Sequence, residues 1–85
     1  MEKNDQLFMQ LLYMFNTSAM QGLGKMEDPT GKVNRNLEYV SQTIDLMEML
    51  KHKTKGNISE EIEKVLEGML SELRTNYIDE KSKDE

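Results

Sequence analysis

LFMQLLYMFNTSAMQGL, residues 7–23, carries more apolar surface than an 85-residue chain of this composition hides easily. At roughly 100° per residue on a helical wheel, its apolar side chains cover roughly two-thirds of the circumference. Leu7, Phe8, Leu11, Leu12, Met14, Phe15, Ala19 and Leu23 make one broad face, extended by Met9 and Met20. The polar strip left over is little more than Gln10, Thr17 and Gln21. A helix of this kind has to be covered on several sides, so the rest of the chain is read by asking what covers it.

One domain of 85 residues sits near the size at which a single core supplies only a few kcal/mol of net stability, and a partner subunit is a natural supplement. The chain has no cysteine, which removes disulfides, thiolate metal sites and a cysteine nucleophile together and fits a reducing compartment. The amino terminus MEKND and the interruptions at Gln10, Asn16 and Gln21 fit neither a secretory signal nor a membrane span of about 20 apolar residues. A net charge of −5 repels a phosphate backbone on average, so nucleic acid is disfavoured as a partner. The balance of 36% hydrophobic and 32% charged residues points to a folded, soluble, cytoplasmic protein.

Outward from the opening stretch, residues 1–4 are expected to fray, with Asn4 or Asp5 as the helix cap. Gly22 and Gly24 mark its end, and Ser18, Ala19 and Gly22 make the last turns thin enough for another backbone to approach. In the connection KMEDPTGKVNR, residues 25–35, Asp28-Pro29-Thr30-Gly31 reads as a tight turn. A phosphate-loop reading fails there, because Gly24 and Gly31 lie seven apart and no Ser or Thr follows Lys32.

A second helix is predicted from about Leu37 to Thr54 with Asn34 or Asn36 as cap. Leu37, Val40, Ile44, Leu46, Met47 and Leu50 take its apolar half, and Ser41, Asp45, Glu48 and His52 the other. Thr43 falls in the apolar half, where its hydroxyl is expected to bond a carbonyl one turn back. Lys51, His52, Lys53 and Lys55 crowd the end before Gly56, where cations complement the orphan carbonyls and the negative pole. Ser59 caps a third helix whose stripe is Ile62, Val65, Leu66, Met69, Leu70, Leu73 and Tyr77. The last seven residues, DEKSKDE (79–85), hold no apolar side chain and read as a disordered, solvated tail to a single helical domain over residues 1–78.

Thr43-Ile44-Asp45-Leu46, Leu50, Lys53-Thr54-Lys55-Gly56-Asn57 and Leu73-Arg74, with Ser18-Ala19-Met20-Gln21-Gly22-Leu23-Gly24 ending the first helix, resemble a family of small bacterial proteins, domain of unknown function 1844. The likeness runs from about Leu7 to Tyr77. The first helix departs from it in being rich in Met and Phe where the family tends to Leu, Ala and Ser, and Ile62 stands where relatives usually carry an acid. The resemblance implies a compact helical protein without assigned activity and carries over no catalytic residue.

Three sets of residues are candidate sites. Phe8, Leu11, Leu12, Phe15 and Ala19 are expected to share the core with an oligomer interface. Asp45, Glu48 and His52 line one exposed helix face as a small-molecule or metal site, though a single histidine is thin material for catalysis or transition-metal binding. Lys51, Lys53 and Lys55, joined by Lys25, Lys32 and Arg35 of the long loop, make an RNA or anion patch without an interleaved aromatic. Eight methionines, four of them in or just after the first helix, suit an adaptable binding surface. The reading that follows is an all-α, three-helix protein, an apolar helix 1 with an antiparallel helix 2–helix 3 hairpin, paired as a two-fold dimer. It needs no cofactor and no catalysis, and its partners are a second copy and a further protein.

Overall fold

A computed structural model describes residues 2–85. Three helices follow one another, α1 (Lys3–Gly22), α2 (Leu37–Lys53) and α3 (Glu60–Ser82). The described residues form no strand. The body measures 41 × 27 × 16 Å along its principal axes.

The first helix starts earlier than its expected cap. Glu2 takes the N-cap position in extended backbone with no side-chain bond, and its carbonyl accepts from the Gln6 amide at 3.0 Å. Asn4 and Asp5 therefore lie inside the first turn, where the Asp5 carboxylate faces the positive pole of the helix. The expected fraying of residues 1–4 thus fails for Lys3 and Asn4, and Met1 lies outside the described residues. At the other end Gly24 adopts φ 80°. Its amide donates to the Gln21 carbonyl and the Lys25 amide to the Met20 carbonyl, both at 3.0 Å, the paired bonds of a Schellman ending.

Gly22 has a different task. A Cβ there would stand 2.7 Å from a methyl of Val40, and the Gly22 carbonyl accepts from the Asn36 amide at 2.7 Å. The thin end of α1 is where the start of α2 crosses it closely. The loop between them turns at Asp28-Pro29-Thr30-Gly31 as expected. The Gly31 amide donates to the Asp28 carbonyl at 2.9 Å, and the Asp28 carboxylate accepts from the Thr30 and Lys32 amides. The Thr30 hydroxyl bond, first among several, holds the Asp28 carboxyl below its ordinary pKa.

Asn36 caps α2 by accepting from the Tyr39 amide, and Ser59 caps α3 by accepting from the Ile62 amide. Thr43 is buried, and its hydroxyl donates to the Tyr39 carbonyl at 2.9 Å. The core runs between the helices. Leu12, Ala19 and Leu23 come from α1 and its end, Val40, Ile44 and Met47 from α2, and Ile62, Leu66, Leu70 and Leu73 from α3. The spacing of the last four is one face of a 3.6-residue repeat. Phe8, Met9, Phe15, Met20, Leu37, Leu50, Met69 and Tyr77 pack around this centre.

Two further expectations need correction. Leu46, assigned to the apolar half of α2, is 46% exposed, because it lies at the edge of that half and the closest packing falls on Val40, Thr43, Ile44 and Met47. The tail from residue 79 is helical through Ser82, and Glu80 is buried. Charge holds it there. The Glu80 carboxylate meets Lys83 at 2.6 Å, Lys25 at 3.5 Å and Arg35 at 3.6 Å, while Arg35 also grips Asp84 at 2.5 Å and the Glu80 carbonyl at 3.1 Å. The Lys83 hydrogen bond, with help from the Coulomb attraction of Lys83 and Lys25, keeps the Glu80 carboxyl below the usual carboxylate range against the pull of burial.

Candidate functional site

The chain runs up, down and up. The end of α1 meets the start of α2 at Gly22 and Asn36, and Ser18 and Tyr39 join their hydroxyls at 2.5 Å. The end of α3 returns to the same pole through Glu80. On the other flank of α2, Glu48 pairs with Arg74 and Lys51 approaches Glu67 at 3.9 Å, which sets α3 antiparallel to α2. Helix α2 thus lies between its neighbours and borders two outer grooves.

The groove between α1 and α2 is apolar. Leu7 is 51% exposed, Leu11 38% and Met14 62% on α1, and Tyr39, Leu46 and Met49 on α2 are each more than two-fifths exposed. On the wheel, Gly22, Leu11 and Ser18 mark the side of α1 that faces α2, and Leu7 and Met14 follow next around the circumference, away from the core. Tyr39 and Leu46 occupy the matching edge of α2, and Met49 lies farther round, opposite Val40. Between Gln6 and Gly24 the sequence holds no charged residue at all. Next to this strip, a shallow depression of about 410 Å³ is lined by Gln10, Tyr13, Met14, Thr17, Ser18 and Gln21.

The residues expected at an interface divide accordingly. Leu12 and Ala19 are wholly buried within their own chain, so they belong to the core alone. The reason is geometric: they point along the centre of the inward face, whereas Leu11 lies about 100° away from Leu12 and stays open. Phe8 and Phe15 are half-buried against the core. Leu7, Met14, Tyr39, Leu46 and Met49 were missed as an outer strip. Their signal was present in the 4-3-4-3 spacing of Leu7, Leu11, Met14, Ser18 and Gln21.

The groove between α2 and α3 is charged. Glu48 binds Arg74 and lies 3.6 Å from the His52 imidazole. Asp45 stands one turn away beside a small cleft of about 180 Å³ lined by Ser41, Ile44, Arg74, Tyr77 and Ile78. So Glu48 and His52 come together as expected, and the partner that Glu48 takes besides is Arg74, a cation from another helix. Among the described residues no three His, Asp or Glu side chains gather closely enough to hold a metal ion.

The lysine patch is split by the fold. Lys51 turns toward Glu67, and Lys53 and Lys55 are exposed at the α2–α3 turn. Lys25 and Arg35, expected to join them, sit at the opposite end of α2, about 25 Å away by helix rise, locked on Glu80 and Asp84. The Asp84 hydrogen bonds hold the Arg35 guanidinium above its ordinary pKa.

The signature of a family described as Domain of unknown function (DUF1844) matches residues 5–79. The chain belongs to this family. The matched span contains all of α2, α1 from Asp5 onward and the greater part of α3, while Glu80 lies one residue beyond the match. No curated protein and no solved structure matches the DUF1844 chain. Among the described residues no helix is long and apolar enough to cross a membrane.

Proposed function

We propose that this chain is a non-catalytic helical interaction module of the cytoplasm that pairs with a second copy of itself and presents the pair to a further protein. The observation that supports this reading is the set of apolar side chains Leu7, Leu11, Met14, Tyr39, Leu46 and Met49, which the chain leaves partly in contact with water. At roughly 100 Å² of open surface for each half-exposed large side chain, these six offer about 600 Å² per chain, against the ~800 Å² per partner of a standard interface. The flanking Gln10, Tyr13 and Ser18 supply the remainder. Open apolar surface of that size is at the upper end of what folded monomers expose and is often functional. The polar groups of the other groove mostly pair with one another, which leaves few convergent free donors and acceptors for chemistry on a substrate.

Sedimentation equilibrium across the micromolar range tests the proposal. A concentration-dependent dimer is expected. A well-folded monomer at every concentration overturns it. Affinity capture with the dimer, beside a Leu7→Asp/Met14→Asp variant, then asks whether any further partner uses the same strip.

A further inference from the structure

We propose that residues 79–85 act as an ionic strap, which closes on the α1–α2 loop or lifts from it as a unit while the helical core stays folded, with ionic strength setting the balance. Tyr77 is the last apolar side chain of α3 packed on the core, Ile78 is 65% exposed, and no apolar residue follows. The segment therefore brings almost no apolar side chain of its own to the core, and the hydrophobic effect does little to hold it. Its ties to the rest of the chain are charged: Glu80 meets Lys25 and Arg35, and Asp84 meets Arg35.

Arg35 is the pin of this strap. Its Nη2 donates to both oxygens of Asp84, at 2.5 and 2.7 Å, and its Nη1 to the Glu80 carbonyl at 3.1 Å. The pin is itself fixed from the loop side. Its stem lies along Gly24, where an added Cβ would stand 3.7 Å from the Arg35 Cβ and Cγ, and the next residue, Asn36, donates its amide to the Gly22 carbonyl. The loop is thus the anchor, and the end of α3 is the part that moves.

The burial of Glu80 makes the closed state conditional. Its side chain is 8% exposed, a cost that the facing cations offset, whereas Lys25, Arg35, Lys83 and Asp84 keep 35–63% of their side chains in water. Salt reaches those exposed ends: the Debye length falls from roughly 30 Å at 0.01 M to 3 Å at 1 M, the scale of the pairs themselves. With the attraction screened, the Glu80 carboxylate gains more from water than from its buried place, and the strap lifts.

Amide hydrogen exchange of the full chain tests this, read at Glu80, Lys81 and Ser82 against Leu66 and Leu70 of the core. Between low salt and about 1 M NaCl the strap amides should speed up roughly tenfold relative to the core pair. Arg35→Gln should bring that fast exchange to low salt and remove most of its salt dependence. Lys53→Gln, the same charge change on the exposed α2–α3 turn, should exchange as the wild type does. Circular dichroism checks that each variant is folded, and Asp84→Asn replaces Arg35→Gln if the latter is not. Strap amides that keep pace with Leu66 and Leu70 at every salt concentration, that are already unprotected at low salt, or that stay protected in the folded pin variant overturn the proposal.

Discussion

Along α2 run two outer grooves of opposite character. The one shared with α1 has no charge on its α1 side between Gln6 and Gly24 and leaves Leu7, Leu11 and Met14 partly open to water. The one shared with α3 is crossed by Glu48–Arg74, Glu48–His52 and Lys51–Glu67. Both border the same core, yet only the second is finished within the chain. Ion pairs on an exposed groove satisfy their groups locally and contribute little energy, whereas open apolar side chains gain only when something else covers them. A surface that lacks internal partners is the one with free energy left for association.

The largest expected effect lies beneath the α1–α2 groove. Leu12→Ala should cost about 2–5 kcal/mol in urea unfolding, because its side chain is wholly enclosed, while the neighbouring Leu11→Ala, partly open to water, should cost clearly less. Equal losses at the two positions would erase the distinction between the inner and outer faces of α1. Gly22→Ala should cost about 1–3 kcal/mol, since its Cβ meets Val40 at 2.7 Å and α1 and α2 must move apart. The same change should weaken dimer formation, because it shifts the two halves of the strip relative to each other.

Leu7→Asp with Met14→Asp should abolish the dimer in sedimentation with helix content intact; a persisting dimer would move the interface to the other groove. On the charged side, Arg74→Ala should cost at most about 1 kcal/mol, because both side chains of the pair remain partly in water. The smallest effect is an acid one. The folded Glu80 carboxyl titrates below its unfolded value, so the unfolded chain binds the extra proton between the two. Stability from this group is full above the ordinary carboxylate pKa and is lost as pH falls through the lowered one. Glu80→Gln should flatten that acid limb of a thermal-melt series.

The three helices, the Ser59 cap, Asn36 as one of two cap candidates for α2, the stop of α1 near Gly24 and the inward bond of Thr43 were legible in the residues. Each depends on contacts within a turn or two, where sequence spacing and spatial neighbourhood coincide. The excess apolar girth of α1 was legible for the same reason, as periodicity on one helix. What covers that girth was not. Only the crossing of α2 at Gly22 decides that Leu12 and Ala19 go inside while Leu11 stays out. Glu80 makes the point more sharply. In the sequence it belongs to a run of charges without one apolar neighbour, the composition of a free tail. In the fold it is buried under Lys25 and Arg35, which lie 55 and 45 residues away. Local chemistry writes the helices and their faces; which faces meet, and which charges find one another, is a property of long-range packing that no window of sequence contains.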